Sequence, residues 1–262
     1  MPRTKCSNRP LVAGAIALAI VAAGIGIQGN SDSAFAKGLN ASIGDVPIST
    51  GAEAMRALPE TEQLAQAFAA AFTGGKERVE LDSGATMVYE PGALAWTSSG
   101  AVLISSGIVE DAGPNDFGAL AVHYLKPEGT AFKVTGAYPN RIEGSLMGGP
   151  PKWVVSTDFG DKPVVVTETF GAWQGMACTT TALYELGGSE PVSLGAFRSG
   201  YDNIESVGKG PKAVSITGSI RNIVKGESFE VHFDGTSRFK QFFARKGATY
   251  VKTGGDGELP DC

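Results

Sequence analysis

The sequence predicts a mostly β protein built from antiparallel meanders and hairpin repeats. The arrangement could be a sandwich, a barrel or a partial propeller-like array, preceded by a short helical segment. Three observations predict this class. From Arg78 onward, short apolar runs rich in β-branched and aromatic residues alternate with polar positions at period two. Turn signals separate nearly all of these runs, among them Pro127-Glu128-Gly129, Gly187-Gly188-Ser189, Asp234-Gly235 and Lys246-Gly247. No helical pattern of about 10–15 residues alternates with them, which argues against parallel βαβ units.

Three segments follow in order. Residues 1–36 have the parts of a secretory signal. Arg3, Lys5 and Arg9 give a positive start, and Leu11 to Ile27 is an uncharged run of 17 residues. Ala34-Phe35-Ala36 is a small-residue cleavage signature before Lys37. The competing reading is a retained anchor, but the run is short for a span and rich in Ala and Gly. Residues 37–77 read as an N-terminal linker and helices. Thr50 and Glu53 have the spacing of a capping box, opening a short helix to about Ala57. Pro59 then suits the start of a second helix, with Gly74-Gly75 as its stop. Leu64, Phe68 and Phe72 recur every four residues and make one apolar stripe, expected to pack on the β domain.

Residues 78–262 form the β-rich domain. Candidate strands are Arg78–Leu81, Thr86–Tyr89, Ala93–Trp96, Val102–Ser106, Leu120–Leu125 and Ala131–Tyr138. Trp153–Thr157, Pro163–Thr169, Thr179–Leu186 and Val192–Phe197 follow. Ala213–Ile220, Ser228–Asp234, Phe239–Arg245 and Thr249–Val251 close the series. Two stretches about 60 residues apart resemble each other. Tyr124-Leu125, a turn and Gly136-Ala137-Tyr138 echo Glu185-Leu186, a turn and Gly195-Ala196-Phe197.

Charge narrows the function. Without residues 1–36 the chain has 19 Lys and Arg against 26 Asp and Glu, a formal charge of −7. An acidic chain with no basic run argues against nucleic acid and against an anionic membrane surface. No second apolar stretch is long enough to span a membrane, so no span is expected in the mature chain, and the signal at 1–36 predicts that it is exported, periplasmic or extracellular. In that setting Cys178 and Cys262 are expected to pair.

Chemistry-bearing motifs are few. His123 and His232 are the only histidines, and alternation makes both ordinary strand residues. Two histidines and one cysteine pair do not suggest a metal site, and no Gly-rich loop leads into a helix, so no cofactor is expected. Ser206-Val207-Gly208-Lys209, Tyr201-Asp202-Asn203 and Lys252-Thr253-Gly254 resemble the three motifs of penicillin-binding proteins and β-lactamases. The resemblance fails on structure, because Gly208, Gly210 and Pro211 forbid the helix that must place Lys one turn from Ser. Asp158, Asp161 and Glu168 could meet across a hairpin as a weak calcium site or an acid/base pair, with solvated turn residues as the plainer reading.

No residue is therefore assigned a catalytic role. Two loops carry recognition chemistry: Phe170–Met176, with Trp173 and Gln174, and Arg198–Asn203, with Tyr201 and Asp202. The expected function is non-catalytic binding of a protein or glycan ligand. The alternative is a hydrolase using carboxylates alone on envelope or extracellular glycans.

Overall fold

The computed structural model describes residues 50–74 and 77–262. The expected signal at 1–36, the arm at 37–49, Gly75 and the Thr50 side chain of the capping box lie outside the described residues. Two helices open the described chain: α1 (Thr50–Arg56) and α2 (Glu60–Ala71). Pro59 stands at the N-cap of α2, and Gly74 with φ +71° follows its end. Thirteen strands then form two antiparallel sheets, each in strict sequence order.

The first sheet comprises β1 (Arg78–Glu80), β2 (Thr86–Thr97), β3 (Gly100–Glu110), β4 (Phe117–Glu128) and β5 (Ala131–Leu146). The second begins with β6 (Lys152–Ser156), β7 (Val164–Trp173), β8 (Met176–Glu185) and β9 (Val192–Asp202). It continues through β10 (Ser215–Val224), β11 (Ser228–Gly235), β12 (Phe239–Lys246) and β13 (Thr249–Gly255). A single helical turn, α3 (Ile204–Val207), interrupts the β9–β10 connection. One sheet curls into a half-barrel. Short turns between consecutive strands favour antiparallel pairing, so a chain of hairpins yields meanders.

The expected strands Thr86–Tyr89 and Ala93–Trp96 are one strand. Pro91-Gly92, a turn signal in sequence, is a bulge within β2, where the register against β3 shifts between Pro91 and Ala93. Gly92 is required there: a Cβ would lie 2.6 Å from the Trp153 ring and 2.8 Å from the Ile104 carbonyl oxygen. The two look-alike stretches are hairpins in different sheets, not repeats of one array. Both carry a bulge beside the glycine of the Gly-Ala-aromatic triplet. Tyr124 pairs with Gly136 and Leu125 with Val134; Leu183 pairs with Gly195 and Tyr184 with Ser193.

Alternation along the strands builds three apolar regions. Leu64, Phe68 and Phe72 of the α2 segment pack with Met87, Tyr89, Leu103 and Leu125 on one face of the first sheet. Val102, Ile104, Leu120 and Val122 on its other face meet Val165, Val155 and Tyr184 of the second sheet. Inside the second sheet, Phe229, Phe233, Phe239, Phe243 and Tyr250 gather with Phe159, Val164 and Val166.

His123 of β4 lies beneath α2, with its ring edge-on to Phe72 at 4.8 Å between centroids. It is buried, and its Nδ1 has no hydrogen-bond partner. Burial lowers its pKa below the usual histidine value of 6.5. The unfolded chain therefore binds this proton more readily than the native state. Stability from neutral His123 is complete above about pH 6.5 and falls as pH drops toward the folded-state value. Glu168 titrates in the same window with the opposite sign, so the difference isolates His123: in urea titrations from pH 7.5 to 5, His123→Leu should gain stability relative to the native protein as pH falls.

Candidate functional site

A groove of about 330 Å³ crosses five strands of the second sheet. Lys152 of β6, Glu168 and Phe170 of β7, Ala177 and Thr179 of β8, Tyr201 and Asp202 of β9, and Ser215 to Thr217 of β10 line it, with Ser145 of β5 at one side. Most of this wall is apolar or hydroxyl-bearing. Lys152, Glu168 and Asp202 are its charged groups, and the most buried of them is Glu168. Alternation puts it on the same face as Val164 and Val166, which belong to the core, and only 9% of its surface is exposed.

Among the described residues, none hydrogen-bonds to the Glu168 carboxyl. Its register neighbours are Lys152 on β6 and Thr181 on β8. The Thr181 hydroxyl donates instead to Ser199 Oγ at 2.7 Å. Burial pushes the Glu168 pKa up to about 7, and the positive charge of Lys152 draws it partly back. A carboxyl at the end of a valine run, half-ionised near neutrality and facing open space, is the least compensated polar group of the groove.

The β7–β8 hairpin tip stands beside the groove. Gln174 (φ 51°) and Gly175 (φ 78°) form a two-residue turn with both residues left-handed, the form that matches strand twist. A Cβ on Gly175 would sit 2.7 Å from the Ser206 amide nitrogen of α3, so the tip is seated on that helical turn. Ser206 N–H donates to the Gly175 carbonyl at 3.1 Å. Trp173 is 73% exposed and Phe170 is 50% exposed. They alternate to opposite faces of β7, and only Phe170 reaches the groove.

The second expected loop is not a loop: Arg198–Asp202 is the end of β9. Its polar groups serve the fold. Asp202 Oδ1 accepts the Ile204 N–H at 2.8 Å, and Asn203 Oδ1 accepts the Val214 N–H at 2.7 Å. Arg198 donates to the Leu259 carbonyl at 3.0 Å and to the Pro260 carbonyl, clamping the segment after β13. Cys178 and Cys262 stand at disulfide distance, with Cα atoms 6.3 Å apart across 84 residues. Tyr201 is buried in the core, with one side in the groove wall. Of the six expected binding residues, the groove brings together Tyr201 and Asp202; Trp173, Gln174, Arg198 and Asn203 lie outside it.

The three acidic residues expected to meet do not. Asp158 bonds Ser156 Oγ at 2.9 Å, and Asp161 pairs with Lys225 at 2.9 Å in a separate surface hollow. Both precede the start of β7, seven or more residues before Glu168. Gly208 (φ 72°) ends α3 after Val207, so Lys209 is not stacked one helical turn from Ser206. His232 faces solvent and bonds Glu230 at 2.6 Å. Among the described residues, no three His, Cys, Asp or Glu side chains cluster to hold a metal, and no helix is long and apolar enough to cross a membrane.

Glu168, Lys152 and Thr179 were not singled out together by sequence reasoning. The signal for Glu168 was present: a charge at the core-facing position of Val164-Val165-Val166-Thr167-Glu168. Comparison with protein families, curated proteins and solved structures finds no match to this chain.

Proposed function

We propose that this protein is a non-catalytic binding domain that acts outside the cytoplasm and holds a ligand in the groove across β6–β10. The observation that carries the reading is the Glu168 carboxyl, buried and without a hydrogen bond among the described residues, in the wall of a hollow lined mostly by apolar and hydroxyl-bearing side chains. Such a group burdens the fold, and residues of that kind concentrate at functional sites. The Cys178–Cys262 pair and the signal-like N-terminus support an oxidising, exported setting.

The carboxylate-hydrolase alternative needs two carboxyls about 5–10 Å apart. Asp202 is the other carboxylate in the groove wall. It pairs in register with Ala177, which pairs with Ala172, four residues along β7 from Glu168. Two strand spacings and four residues separate the backbones by roughly 16 Å, which weighs against a working pair.

A neutral apolar fluorophore, 1-N-phenylnaphthylamine, tests the groove. The native protein should bind one equivalent with a blue shift. Ala177→Trp and Ser215→Trp, on the two strands that pair with Asp202, should each abolish binding, whereas Trp173→Ala should retain it. Equal binding by the filled variants would refute the groove as the site. Turnover of a glycan that disappears in Glu168→Gln would overturn the non-catalytic reading.

A further inference from the structure

The groove contains more negative than positive charge, and the two signs differ in how well they are solvated. Lys152 is exposed, so water already satisfies its ammonium group. Glu168 is nine-tenths buried, and among the described residues it makes neither a hydrogen bond nor an ion pair, although Lys152 faces it in register. Asp202 already accepts a backbone N–H. A positive group entering the groove would therefore gain most at Glu168, where no side chain or backbone partner among the described residues has to be displaced. Around that point the wall offers the Phe170 ring, Ala177, Ile216 and the Thr179 hydroxyl.

Taking the groove as the binding site proposed above, we infer that its ligand is an organic cation: an ammonium or guanidinium nitrogen on an apolar body, with Glu168 as its counter-ion. The apolar body lies along Phe170, Ala177 and Ile216, and the cation reaches the carboxylate. Lys152, Asp202 and Tyr201 are the other titratable groups of the wall. Asp202 Oδ1 is already engaged as a hydrogen-bond acceptor of the Ile204 N–H. Binding the cation requires ionised Glu168, so it releases a proton wherever that carboxyl was protonated.

Three isosteres separate the possibilities: 4-phenylbutylamine, 4-phenylbutanol and 4-phenylbutyrate, each competed against the fluorophore on the full chain. At pH 8 the amine should bind at least about tenfold more tightly than the alcohol. At pH 5.5, where only about 3% of a carboxyl titrating near 7 is ionised, that advantage should fall to near one. In Glu168→Gln the amine-to-alcohol ratio should be near one at both pH values. Titration in buffers of different ionisation enthalpy should show proton release on amine binding near pH 7 in the native protein alone. Equal affinity of amine and alcohol at pH 8 would overturn the cation assignment and leave the groove intact. Preference for the carboxylate would assign the site to Lys152 instead. Amine selectivity that survives Glu168→Gln and vanishes with Asp202→Asn would move the counter-ion to Asp202. Failure of all three to displace the fluorophore would overturn both the cation and the groove.

Discussion

Glu168→Gln should stabilise the protein at pH 8 by on the order of 3 kcal/mol and leave it nearly unchanged at pH 4. The folded-state pKa of Glu168 is pushed up to about 7 from an ordinary 4.5, chiefly by burial. Between those values the native state holds a proton that the unfolded chain has released. The protonated side chain is tolerated at low pH, and its contribution is fully present below about pH 4.5. As pH rises through about 7 the native carboxyl must ionise in a site where no described residue offers it a hydrogen bond, and the contribution is lost. Glutamine keeps the shape and never ionises, so the variant escapes the penalty. Thermal unfolding at pH 4, 6 and 8 would display it as a gap that widens with pH, reaching about 10 °C for a chain of this size. A gap independent of pH would mean that glutamine acts through packing, and an ordinary titration of Glu168 by NMR would remove its claim to a special role. A removable burden at this one position is also the signature of a group held for binding rather than for the fold.

The architecture was readable because local chemistry specifies it. Alternation, turn residues and the Leu64–Phe68–Phe72 stripe each act over a few positions, and the two sheets place these elements as the patterns require. Errors arose where one residue type has two uses. Pro91-Gly92 signals a turn, but the same pair forms a bulge when the strand continues beneath Trp153. Arg198–Asn203 has the composition of a recognition loop, yet its polar groups hold α3, β10 and the segment after β13. The groove itself was invisible. Its wall draws one to three residues from each of five strands, and their meeting depends on curl and register across more than 60 residues of sequence. Only Glu168 carried a local mark, a charge in the core-facing row of a valine strand.

Cys178 and Cys262 stand at disulfide distance, and preventing that bond should cost about 4.5 kcal/mol, the loop-closure entropy of cross-linking residues 84 apart. Cys178→Ser/Cys262→Ser, or reduction of the native protein, should lower Tm by more than 10 °C at this chain length. The magnitude depends on how firmly the segment after β13 is held without the bond. Arg198 grips the Leu259 and Pro260 carbonyls, Gln241 Nε2 donates to the Gly257 carbonyl at 3.2 Å, and Lys252 pairs with Glu258. Leu259 is buried in the core of the second sheet. These contacts act in the native state, whereas the disulfide also restricts the unfolded chain, so they cannot replace its effect on the denatured ensemble. Adding Arg198→Ala to the cysteine-free protein separates the two. If the clamp and the bond act on one local opening, the double loss should exceed the sum of the single losses, and amides of residues 256–262 should exchange early. Cys178 lies between Ala177 and Thr179, both in the groove wall, so the same variant should also weaken fluorophore binding. An unchanged Tm with rapid exchange confined to residues 256–262 would instead show that the bond fastens only this segment, and that the β sheets derive their stability from their own aromatic core.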